Sequence, residues 1–285
     1  MYIQLNTIEK ELKELEAAEE PNVARIEEIK TEIIAKQNQI FKPIFGCEMY
    51  VARRGNKALK EIKQDQSGWH LIVLAKNEIG YKNLVKLVSR SWVDGYYMRP
   101  RTDHTDLAKY HEGLIIASAC LGGEIPKKIM SGDIAAAEEA VKWFKGIWGE
   151  DYYLELQLHK ATVERANHDT YKEQRAVNEQ LIALAAKHNI KLICTNDVHF
   201  VDEDHAEAHD RLICLSTGKK MNEPRMHYSK QEWLKSPAEM TAIFPDYPEA
   251  IANTLEIGQK VEVYSIESGP IMPMFEIPTS FGTEE

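Results

Sequence analysis

The stretch EQRAVNEQLIALAAKHNIKLICTNDVHF (Glu173–Phe200) carries a helix pattern, a short connection and a strand pattern in succession. Glu173–His188 is rich in helix formers, and KLICTN (Lys191–Asn196) is a short apolar strand. The strand ends in Asn196, Asp197 and His199. A carboxylate and an imidazole two residues apart on an extended chain point the same way. That pair suits one metal ion or one proton-transfer site. Taken on its local pattern alone, the plainer reading is preferred: a polar loop leaving a strand. His205 and His209 follow, on one face of the next helix, Ala206–Leu215.

The same alternation runs upstream. Phe41–Ala52, His70–Ala75, Gly113–Ser118 and the alternating Tyr152–His159 read as strands. Tyr81–Val93, with Leu84, Leu87 and Val88 inward, and Ile134–Trp148 read as helices. Strand and helix in turn predict an α/β fold with a largely parallel sheet. Downstream, Ser236 with Glu239 forms a capping box that opens a helix, and Tyr247–Gln259 is another. Ser268–Glu285, with Pro270, Pro273 and Pro278, reads as an extended connector. At the other end, Thr7–Gln39 is a charged helical hairpin broken at Pro21-Asn22. Ile8, Leu12 and Leu15 make one stripe; Val23, Ile26, Ile29 and Ile33 make the other.

The chain has 285 residues, 44% hydrophobic and 28% charged, which is ordinary for a soluble globular protein. A formal net charge of −10 excludes a general basic field for nucleic acid. The four cysteines, Cys47, Cys120, Cys194 and Cys214, are widely spaced and form no CxxC, which predicts reduced thiols in a cytoplasmic protein. No apolar run reaches the length of a membrane span, so no membrane partner is expected.

Several metal-type side chains stand at or beside strands. Glu48 lies in IFGCEMYV, His70 opens HLIVLA, Cys120 follows GLIIASA, and Asp197 and His199 follow LICTN. In a barrel of parallel strands such ends meet at one mouth. Carboxylate, imidazole and thiolate together suit zinc or a similar transition metal. Each has a plainer reading: Cys120 as a small core residue, Glu48 as an ion-pair partner, His70 as a surface neighbour of Trp69.

Four segments, in this order and spacing, closely resemble a known family: GCEMYVA, HLIVLAKNEIGYKNLVKLVSRSWVDGYY, EGLIIASACLGGEIPKKI and CTNDVHFVDEDHAEAHD. They are similar to the PHP (polymerase and histidinol phosphatase) domain of bacterial DNA polymerase III alpha subunits, from about Phe41 to Pro278. Met221–Val263 resembles the part that links this domain to the polymerase palm, which a free-standing histidinol phosphatase lacks. The resemblance implies a distorted (β/α)7 barrel over 41–215 with a metal centre at its mouth. It makes 1–40 an inserted hairpin and 216–285 a helical linker toward the palm. The family's metal ligands fall on Glu48, His70, Cys120, Asp197 and His199. Divalent ions are implied, zinc first, with manganese or magnesium as alternatives, and a metal-activated water as nucleophile. His159 falls to a supporting or structural role, and His205 and His209 fall outside the ligand set.

The sequence also departs from the family. The opening His-x-His strand and the Thr-Asp-His motif are absent, and Met1–Gln39 holds no histidine. The expectation is an incomplete barrel without its first strands, starting inside the domain, ending before the palm and inactive alone. Its bare sheet edges would invite aggregation. The implied parent is a DNA-directed DNA polymerase, a nucleotidyltransferase of DNA replication. Its PHP site would be a metal-dependent phosphoesterase of 3′–5′ exonuclease type. The alternative is a catalytically silent module that stabilises the polymerase and docks a separate proofreading exonuclease. The implied partners are DNA, through the rest of the polymerase, and other replicase subunits.

Overall fold

The computed structural model describes residues 2–18, 22–37, 42–267, 269–270 and 272. Contacts divide the chain into two compact units, 1–44 and 45–285. In the first unit, helices α1 (Tyr2–Glu16) and α2 (Val23–Gln37) pack on each other through Ile8, Leu12 and Leu15 against Ile29 and Ile33. Asn22 starts α2, its Oδ1 accepting from Arg25 N at 3.1 Å. Val23 departs from the expected stripe: it is 69% exposed, because the first residue of the helix overshoots the packed face. Pro21, Gln39 and most of the 268–285 tail lie outside the described residues.

The second unit begins with strand β1 (Gly46–Ala52) and continues through β2 (Gly68–Ala75), α3 (Glu78–Val93), β3 (Arg101–Thr102), α4 (His104–Lys109) and β4 (Leu114–Ala117). Helices α5 (Glu124–Met130) and α6 (Ile134–Trp148) follow, then β5 (Tyr152–Leu156), α7 (Asp169–His188), β6 (Lys191–Cys194), α8 (Ala206–Thr217), α9 (Pro237–Ile243) and α10 (Pro248–Lys260). The six strands form one sheet in the order β3-β1-β2-β4-β5-β6. Pairs β1–β3, β4–β5 and β5–β6 are parallel, but β2 runs against both its neighbours. That reversal brings the start of β2 to the end of the sheet where β4, β5 and β6 finish, which is where ligands bind in open α/β sheets.

Burial follows residue pattern. On β1 and β2 the odd-numbered Met49, Val51, Leu71, Val73 and Ala75 face a core with Leu84 and Leu87 of α3. β4 and β5 are buried on both faces. Their second face is covered by Ile257 and Val261, at the end of α10, against Ile115, Ala117, Tyr153 and Ile193. β5 is therefore an interior strand, buried throughout although its sequence alternates. Helix ends follow local chemistry: Asn77 caps α3, Asp133 caps α6, and Ser236 with Glu239 closes the expected capping box on α9. Among the described residues, no helix is long and apolar enough to cross a membrane, and all four cysteines are free.

Candidate metal centre

Glu48 and His70 are diagonal neighbours on one face of the β1–β2 pair, where Glu48 stands opposite Ile72 and Tyr50 opposite His70. Their side chains meet, His70 Nδ1 to Glu48 Oε1, at 2.6 Å, with exposures of 31% and 44%. The hydrogen bond from His70 is the main cause that holds the Glu48 carboxyl below its usual range. The loop after β4 crosses this pair. Ala119 takes a left-handed backbone, φ 62°, and turns Cys120 toward His70. The Sγ atom lies 3.5 Å from His70 Nδ1 and accepts from Gly122 N at 3.4 Å. His70 N donates to Gly122 O at 3.0 Å. Gly122 leaves room for the imidazole: a Cβ there would sit 3.0 Å from the ring, which would have to give way.

One oxygen, one nitrogen and one sulfur donor thus lie within 4.8 Å of one another. Burial, and then the Asp197 carboxylate, push the Cys120 thiol up to about 12. A cation would invert that balance, because the carboxylates that oppose a thiolate attract a metal. The O, N and S set is one that zinc accepts.

Asp197 and His199 arrive differently from the expectation. β6 stops at Cys194, and Asp197 has φ 44°, so the pair spans a turn and not an extended run. The turn is imposed from outside. Asn196 Nδ2 donates to the carbonyls of Gln231 (2.8 Å) and Trp233 (2.7 Å), and Asn196 O accepts from His159 Nε2 at 3.1 Å. His159 is only 2% exposed. Gln174 uses its Oε1 on His159 N and its Nε2 on His159 Nδ1, which fixes the proton on Nε2. Burial lowers the His159 pKa and keeps the ring neutral. Burial likewise raises the Asp197 carboxyl. His199 Nδ1 donates to Asp197 O at 2.6 Å, leaving Nε2 to accept from Tyr228 OH at 3.1 Å.

All five predicted residues line one cavity of about 250 Å³, together with Gln157, His159, Tyr228 and Glu232. The tight donor group contains Glu48, His70 and Cys120; Asp197 and His199 line the same cavity outside that group. His209 packs its ring on His199 (centroids 5.6 Å apart) and on Tyr228 (4.9 Å). His205 forms a separate exposed group with Asp202 and Asp204. Tyr228 and Glu232 went unpredicted because they lie in the stretch read as a linker. Glu232 is buried, Oε1 accepting from Ser229 N and Oγ and Oε2 without a partner among the described residues.

A family model described as the PHP domain matches residues 5–159, more than half of the chain. The chain belongs to the PHP domain family. Curated relatives of this PHP chain carry the name DNA polymerase III subunit alpha. That of Borreliella burgdorferi is 44% identical over 248 residues, covering 85% of this chain and 20% of the relative. That of Treponema pallidum is 38% identical over 247 residues (86% and 20%), and that of Campylobacter jejuni 36% over 258 residues (86% and 20%). The PHP chain therefore spans about a fifth of the length of the curated relatives it matches.

Proposed function

We propose that this PHP chain is part of a replicative DNA polymerase III alpha subunit and carries a metal-dependent phosphoesterase site of 3′–5′ exonuclease type. The observation that carries the reading is the meeting of Glu48, His70 and Cys120 within 4.8 Å at the sheet end, beside Asp197 and His199. In this reading all five hold divalent metal. The sulfur donor favours zinc over magnesium or manganese. A bound ion supplies Lewis acidity toward a phosphate oxygen and toward water.

The chain's own groups do the rest. His159 and Asn196 fix the Asp197 turn. Tyr228 OH donates to His199 Nε2 and releases that nitrogen only when the phenol turns away. The ligand face of β1–β2 is open, and the first strands of a PHP barrel, with their His-x-His and Thr-Asp-His donors, would close it. Residues 1–40 then form a hairpin inserted in the domain, 41–215 the barrel and 216–285 the link toward the palm. Nucleotide addition, DNA and the other replicase subunits belong to the rest of the polymerase, in the cytoplasm.

Metal analysis of the purified polypeptide tests this. We expect Cys120→Ala and Asp197→Ala each to weaken zinc binding on the order of a hundredfold, a ligand's share of a structural zinc site. Unchanged zinc content in both variants would remove the assignment. The occupied Nε2 of His199 also supports a second reading, a silent module that stabilises the polymerase and docks a proofreading exonuclease. Zinc binding with no phosphodiesterase activity in the intact polymerase would favour that reading.

A further inference from the structure

Resting on the metal-centre reading, we propose that Glu155 is a positioning residue that ties the Cys120 loop to the Asp197 loop and thereby sets metal affinity. Glu155 lies in β5 and is 5% exposed. β5 separates β4 from β6, so the loops that follow those two strands belong to non-neighbouring strands. The carboxylate bridges them. Oε1 accepts from Ala119 N at 2.7 Å, and Oε2 accepts from Thr195 Oγ1 at 2.7 Å.

Each contact acts at a sensitive point. Ala119 is the left-handed, non-glycine residue immediately before Cys120, a conformation that persists only where surroundings hold it. Thr195 stands two residues before Asp197, and Gln157 Nε2 donates to its Oγ1 at 3.0 Å. Behind Glu155, its own N donates to Ser118 Oγ at 2.9 Å. A buried carboxylate costs folding energy that an apolar side chain would not. A leucine would fill the position, but it could not accept from a backbone N–H and a hydroxyl at once. The separation of Cys120 from Asp197, and hence the span of the site, follows from that one group.

The test is cobalt(II) titration of the polypeptide that carries this chain, followed by sulfur-to-cobalt charge-transfer absorption, with a thermal melt of each metal-free variant alongside. We expect Glu155→Leu to weaken cobalt binding by about 10–100-fold and to diminish the charge-transfer band as Cys120 swings away. Glu155→Gln keeps an acceptor for Ala119 N and should stay within about threefold of the parent. Thr195→Val removes one arm of the bridge without touching the carboxylate, and should weaken binding in the same direction even if Glu155→Leu does not fold. A purely structural role would lower the melts and leave affinity and band unchanged. Parent-like cobalt binding in Thr195→Val, or in a folded Glu155→Leu, overturns this inference and leaves the metal centre standing. A parent protein that binds no cobalt overturns the metal centre, and the inference with it.

Discussion

The two halves of the cavity are built on opposite terms. On the β1–β2 side, Glu48 and His70 are partly exposed and hold mainly each other. On the β4–β5–β6 side, the Asp197 turn hangs on His159, Asn196, Gln174 and Glu155, all under a tenth exposed. The difference follows from cover. β5 is buried on both faces, whereas the ligand face of β1 and β2 meets solvent. One half is held by buried hydrogen bonds before any ion arrives; the other rests mainly on the Glu48–His70 pair. Folding stability should then respond mainly to the buried half, and metal affinity to donors and supports in both.

Leu154→Ala, deep in β5, should show the largest effect, about 2–5 kcal/mol lost in urea unfolding. A loss below about 1 kcal/mol would mean that the buried half does not carry the fold. Next is pH. Burial raises the Glu155 carboxyl from its ordinary 4.5 to about 7. Between those values the folded state holds a proton that the unfolded chain has lost, so stability falls as pH rises. The contribution is fully present below about 4.5 and gone above about 7, at most about 3 kcal/mol in metal-free protein. Glu155→Gln should flatten that slope; an equal slope in the variant breaks the assignment.

Smaller effects belong to the open half. Gly122→Ala should push the His70 ring aside, weakening zinc by about tenfold while leaving the metal-free melt in place. Smallest of all, Glu48→Ala should change metal-free stability by no more than about 0.5 kcal/mol. A cost well above that would erase the contrast between the halves.

How much of this was legible in sequence depended on length and periodicity. Ile134–Trp148 was read with its final bounds, because a regular apolar stripe runs from a capping Asp133 to a terminal Gly149. β3 and α4 were invisible: two and six residues carry no period. Arg101 even argues against burial, yet it is 0% exposed, with Nη2 donating to the carbonyls of Lys57 and Leu59. The α/β alternation was readable, but the reversal of β2 was not, since strand direction is set by connections and leaves no local trace. Donor types at strand ends were likewise readable. Their supports were not: Glu155 was hidden in an alternating strand, where a mid-strand charge was the only signal. Tyr228 and Glu232 come from a segment distant in sequence from the donors they cover.

That last feature bears on how portable the domain is. The wall supplied by Tyr228 and Glu232 lies well past residue 159, where the family match ends. A chimera joined at that point would transplant the floor of the cavity without its roof. Recombination between related polymerases should therefore preserve the pocket only when no crossover falls between Glu48 and Trp233, whose carbonyl anchors Asn196.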